Sequence, residues 1–133
     1  MIFVDTGAFL GRCLPSDQFH ARAVAGWKKV ADKGERCCTS SFILDETLTL
    51  LARRADYAFA AERGRAMRSS RMLEIARPSE KIEDEALDLF EQFADQRVSF
   101  TDCVSFALMR ERHIKRVFTF DAHFERAGFE LWP

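Results

Sequence analysis

Short apolar runs alternate along this chain with longer stretches in which apolar residues recur every three or four positions. Ile2–Val4, β-branched and aromatic, predicts a buried strand ending at Asp5. Ala23, Val24, Trp27, Val30 and Ala31 follow a Pro15-Ser16-Asp17 start signal, which predicts a helix over about 17–32, stopped by Gly34. Arg36–Thr39 reads as a short strand. Ser40 or Ser41 then caps a helix carrying Ile43, Leu44, Thr47, Leu48 and Leu51, and a second helix runs from about Asp56 to Arg68. Met72–Ile75 is the next strand, closed by Pro78. Ser79 with Glu80 and Glu83 opens the clearest amphipathic helix, with Ile82, Ala86, Leu89, Phe90 and Phe93 on one face. Val98–Phe100 is read as a strand, and Thr101-Asp102 as the start of a helix reaching about His113. Arg116–Phe120 is a strand ending at Asp121, and Phe129–Trp132 a last one.

Strands alternating with helices of this length predict β-α-β units, hence an α/β fold with a mainly parallel central sheet flanked by helices. The 133 residues show neither repeats nor a linker, and read as one domain over 1–133. Thirteen Phe against one Tyr and two Trp predict a core of plain aromatic bulk. No apolar stretch approaches the ~20 residues that cross a bilayer, and Met1–Asp5 lacks the basic leader of a signal peptide. Cys13, Cys37, Cys38 and Cys103 form no C-x-x-C pair, so they read as reduced thiols of a cytoplasmic protein rather than a zinc site. His20, His113 and His123 are scattered without metal-ligand spacing.

The formal net charge of -1 hides a segregation. Arg53–Arg77 holds seven arginines against three acids, whereas Glu80–Asp95 holds seven acids against Lys81 alone. Such a basic stretch is either a polyanion-binding face or a solvated helix surface whose arginines pair with the acids that follow.

The chemistry resides in carboxylates. Asp5, Asp102 and Asp121 each follow a predicted strand, at the sheet edge where open α/β folds bind ligands. Glu46, on the helix after the second strand, reaches the same rim. Singly, each has a structural role available as a turn residue or helix cap. Together they would repel unless a cation sat among them, and hard divalent ions take oxygen ligands of this kind. Such a site suits in-line attack on a phosphodiester. No Gly-rich phosphate loop or Ser-His-Asp order competes. Asp5-Thr6-Gly7-Ala8 spells an aspartic-protease signature, but that fold is all-β and this chain has strong helical periods. A receiver-type phosphoacceptor would want paired acids after the first strand, and they are absent.

The segments Ile2-Phe-Val-Asp5-Thr6, Ser41-Phe-Ile-Leu-Asp-Glu46-Thr-Leu, Phe100-Thr-Asp102-Cys-Val-Ser and Phe118-Thr119-Phe-Asp121-Ala-His-Phe resemble a PIN domain, in the family's order and over essentially the whole chain. A small stand-alone PIN domain is most similar to the VapC-type toxins of bacterial toxin–antitoxin pairs. The resemblance implies a Mg²⁺- or Mn²⁺-dependent endoribonuclease with metal ligands Asp5, Glu46, Asp102 and Asp121 and a hydroxyl at Thr119. It further implies an RNA substrate, an antitoxin partner and a homodimer. Asp45 beside Glu46 makes the second ligand ambiguous, though the Glu-Thr-Leu context favours Glu46. Arg53, Arg54, Arg63, Arg65, Arg68 and Arg71 are candidates to steer RNA phosphates. The alternative is a catalytically silent PIN-like protein- or RNA-binding module, which would be expected to lose a carboxylate; this chain keeps all four. Apolar residues in excess over Phe42–Leu51 and Tyr57–Ala61 would suit a protein partner if exposed.

Overall fold

A computed structural model describes all residues 1–133. Five short strands, β1 (Ile2–Val4), β2 (Cys37–Ser40), β3 (Leu73–Ala76), β4 (Arg116–Phe118) and β5 (Glu130–Trp132), form one sheet in the order β3-β2-β1-β4-β5. Every neighbouring pair is parallel. Helices α1 (Thr6–Cys13) and α2 (His20–Lys33) join β1 to β2, and α3 (Ser41–Arg54) and α4 (Tyr57–Ser69) join β2 to β3. Helices α5 (Glu80–Gln92) and α6 (Phe100–Glu111) carry the chain back across to β4, and the short α7 (Ala122–Arg126) leads into β5.

The order decides where a ligand can sit. From β1 the chain winds through β2 to β3 in one direction, then returns to β4 and continues the opposite way. Right-handed crossovers therefore place α1–α4 on one face and α5–α7 on the other. The reversal leaves a crevice between the carboxyl ends of β1 and β4, the topological switch point of such sheets.

The predicted α/β order stands, with two departures. Residues 6–13, left without an element in the sequence reading, form α1. Two glycines in eight residues hide it from a propensity argument, yet packing calls for one of them. A Cβ at Gly11 would lie 2.7 Å from that of Ala23 on α2. The predicted strand Val98–Phe100 does not form. Arg97 adopts a left-handed φ of 54°, Ser99 becomes the N-cap, and Phe100 already belongs to α6. Asp102 thus enters the rim from a helix N-terminus and not from a strand end.

Aromatic bulk fills both faces, as composition implied. Phe3, Phe106, Phe118 and Phe124 are fully buried. Trp27 reaches Phe118 at 5.4 Å between ring centroids, and Phe106 meets Phe124 edge-on at 5.0 Å. Helix α2 approaches Phe118 so closely that a Cβ at Gly26 would fall 2.4 Å from its ring. Gly26→Ala should therefore destabilise the protein by about 1–3 kcal/mol despite alanine's better helix propensity, read as a lower urea midpoint.

All four cysteines are free, three of them buried. The basic and acidic stretches do not neutralise each other. Arg54 pairs with Asp17 at 3.1 Å and Arg63 with Glu62 at 3.1 Å, while Lys81–Glu85 stays within α5. The crossover rule explains this, since α4 and α5 flank opposite faces of the sheet. No helix is long and apolar enough to cross a membrane.

Candidate active site

Asp5 directly follows β1 and occupies the N-cap position of α1, yet its side chain makes no capping bond. It instead accepts a hydrogen bond from Thr119 Oγ1 at 2.7 Å. The same hydroxyl accepts from the backbone N–H of Asp121 at 3.0 Å. One buried side chain just past β4 thus ties the end of β1 to the loop carrying the last acid. Asp121 does cap α7, accepting from His123 N at 2.9 Å through Oδ1, so its structural role is real. Its second oxygen is not used in that cap.

Glu46 lies in the second turn of α3, whose N-cap Ser40 ends β2 and accepts from Ile43 N at 3.1 Å. Helical side chains lean toward the N-terminus, which returns Glu46 to the rim, where Thr6 Oγ1 donates to its Oε1 at 2.5 Å. Asp102 sits in the first turn of α6, where Ser99 Oγ accepts from its backbone N–H at 3.1 Å. Ser99 takes the capping role, so Asp102's carboxylate is left for other work.

These four acids line one open cleft together with Thr6, Phe19, Arg97, Ser99, Phe120 and His123. Asp5 is 6% exposed and Asp102 9%. Burial pushes the Asp5 carboxyl up to about 6, against the lowering effect of the Thr119 bond. Burial, reinforced by Asp5, Asp121 and Glu46, pushes Asp102 up to about 8. A helix N-terminus favours a carboxylate by only ~0.3–1 kcal/mol, too little to hold Asp102 in its usual range. The charges acting most strongly on these two acids are negative: Glu46 and Asp121 on Asp5, and Asp5, Asp121 and Glu46 on Asp102. An oxygen-rich, partly buried set in which no acid is paired with a lysine or arginine fits a hard divalent cation. Asp102, Asp121 and His123 also present ligand atoms within 4.8 Å of one another.

Three cleft features escaped the sequence reading. His123 has no metal-ligand spacing to the other histidines, and its place two residues after Asp121 is the signal the sequence offers. Arg97 supplies the cleft's one arginine, from the left-handed turn that replaced a predicted strand. Phe19 and Phe120 form a wall, stacked at 4.6 Å with Arg22 over both rings. The arginines singled out from sequence lie elsewhere. Arg53, Arg54, Arg65 and Arg68 are exposed on α3 and α4. Arg63 has a buried Nε beside an apolar cavity of about 260 Å³ that also takes Cys13 and none of the four acids.

A parallel sheet in this order, with acids converging at its switch point, defines a PIN domain, and the PIN domain family model matches residues 2–130. The chain belongs to that family. It is 34% identical over 129 residues to the 23S rRNA-specific endonuclease VapC20 of Mycobacterium tuberculosis, covering 97% of this chain and 95% of the relative. The crystal structure of that VapC20, described as a sarcin-ricin loop cleaving toxin, matches with a TM-score of 0.90 at 32% identity over the whole of both chains.

Thr119 makes a direct test of the positioning network. Thr119→Val keeps the volume and loses the hydroxyl that holds Asp5 and receives Asp121 N–H. Cleavage should fall by about 10–100-fold, the usual loss when a hydrogen bond that orients a functional carboxylate is removed, with the Asp5 pKa moving further up. Thr119→Ser should retain most activity. The pH profile of single-turnover cleavage reads both.

Proposed function

We propose that this chain is a divalent-metal-dependent endoribonuclease and the toxin of a toxin–antitoxin pair. The observation carrying this reading is the convergence of Asp5, Glu46, Asp102 and Asp121 in one cleft, two of them buried with raised pKa values and none paired with a lysine or arginine. A bound Mg²⁺ or Mn²⁺ supplies an activated water and charge stabilisation at the leaving oxygen. The chain's own part is to hold Asp5 through Thr119 and Glu46 through Thr6, so that the four acids act as one preformed set. Arg97 at the rim would anchor a phosphate of the RNA. Arg53, Arg54, Arg65 and Arg68, with the outer end of Arg63, would attract the backbone at longer range.

The likeness to VapC20 in sequence and structure supports 23S rRNA, at its sarcin-ricin loop, as the substrate. It likewise supports an antitoxin partner and action in the cytoplasm. Tyr57, 80% exposed at the start of α4, and half-buried Phe59 beside it offer an apolar surface for the antitoxin or a second copy of the chain. All four acids are present, which weighs against a silent binding module.

The test is incubation of the purified protein with total RNA, with Mn²⁺, with Mg²⁺ or with EDTA, followed by mapping of the new ends. One dominant cut in 23S rRNA that EDTA abolishes is the expected outcome. Cleavage that persists in EDTA, or none with either metal, would refute the reading.

A further inference from the structure

We infer that His123 is a nitrogen ligand of the metal site, completing it beside Asp102 and Asp121 and biasing it toward Mn²⁺ over Mg²⁺. The inference rests on the metal-site reading above and concerns the one imidazole in the cleft. Its Nδ1 is buried and has no hydrogen-bond partner, an expensive condition for a polar atom unless something occupies the space it faces. It lies 3.2 Å from Asp121 Oδ1 and 4.0 Å from Asp102 Oδ2. The shorter approach is not aligned as a hydrogen bond.

Coordination geometry accounts for both separations. With metal–ligand distances of about 2.1 Å, adjacent corners of an octahedron are about 3.0 Å apart and opposite corners about 4.2 Å. The 3.2 Å and 4.0 Å separations fall between those limits, so the three groups could hold one ion together. The backbone assists, because His123 N–H is fixed to Asp121 Oδ1 at 2.9 Å, which sets the start of the side chain relative to that carboxylate. An imidazole suits transition-series ions, whereas Mg²⁺ prefers oxygen and water. A lone nitrogen among carboxylates therefore favours Mn²⁺.

No other histidine lines the cleft. His20 lies at the start of α2, with Nδ1 against the Gly11 carbonyl at 2.7 Å. His113 lies beyond α6, where the chain turns into the amino end of β4, and lines a different pocket with Arg112 and Arg116.

Pulsed electron paramagnetic resonance of the Mn²⁺-loaded protein decides the matter without an activity readout. Wild type should show nitrogen hyperfine modulation whose pattern changes when histidine is labelled with the heavier nitrogen isotope. His123→Asn should lose the modulation and bind Mn²⁺ about tenfold more weakly by calorimetry, with Mg²⁺ affinity changed less. Bound Mn²⁺ without nitrogen modulation in wild type would overturn the assignment while leaving the metal site intact. Failure to bind Mn²⁺ at all would overturn both. Because the labelled wild type answers alone, a folding defect in His123→Asn would not blunt the test.

Discussion

Asp102→Asn should abolish RNA cleavage and, in the same protein, raise the melting temperature measured in EDTA. The two effects share one cause. Asp102 is almost fully buried, and its carboxyl is pushed up to about 8 by burial and by Asp5, Asp121 and Glu46. Ionising it without a metal is therefore unfavourable to the fold at neutral pH. Asparagine keeps the shape and the backbone bond to Ser99 but carries no charge to repel. A gain of about 1 kcal/mol would appear as roughly 3–5 °C in a domain of this size. The same loss of charge would remove one of the proposed anionic metal ligands, so cleavage should drop on the order of a thousandfold or more. Asp5→Asn should behave likewise, with a smaller thermal gain because the bond from Thr119 already eases that charge. Stability gained where activity is lost is the signature of a site that stores strain for function. A lower melting temperature in EDTA for both variants would show the acids to be structural supports instead.

The metal-free protein should also lose stability as the pH rises from about 4 to about 8, opposite to the usual behaviour of paired carboxylates. Asp5 and Asp102 hold protons in the folded state up to about 6 and about 8, whereas an unfolded chain releases them near the ordinary value of 3.8. Between those limits the folded state binds more protons, so its stability falls with rising pH. Below pH ~4 both states are protonated and this contribution is constant. There Glu35, held below its usual range by Arg116, works the other way, favouring the fold until it protonates. Saturating Mn²⁺ should offset the alkaline loss by ~2.7 kcal/mol at a hundred times its dissociation constant. The gain should shrink toward pH 5, where protons compete for the same oxygens. Differential scanning fluorimetry from pH 5 to 8, with EDTA or with Mn²⁺, measures both limbs. A metal-free melting temperature that climbs across this range, or ignores Mn²⁺ at pH 8, would contradict the account.

Much of this was legible in the chain itself. Ile2–Val4 and Arg116–Phe118 are apolar enough to be recognised as buried strands, and the Ser79 cap with Glu80 and Glu83 marks the start of α5 unaided. The four acids stood out because each follows such a local signal: a strand end, a capped helix or a helix start. Patterns of this kind depend on a few neighbouring residues, and periodicity reports them directly.

Other features depend on residues far apart in the chain, and local pattern does not carry them. Helix α1 exists because Gly11 lets α2 come close, and a propensity argument counts that glycine against a helix. Val98–Phe100 has strand-like residues, but the sheet has no place for it, so Ser99 caps a helix and Asp102 turns inward. The hydrogen bond from Thr119 to Asp5 spans 114 positions, and the approach of His123 to Asp102 spans α6, β4 and the start of α7. The reversal of strand order between β1 and β4 creates these meetings. The chain's chemistry was thus written locally in its acids, while their burial, their mutual repulsion and the imidazole among them arise only where the sheet changes direction.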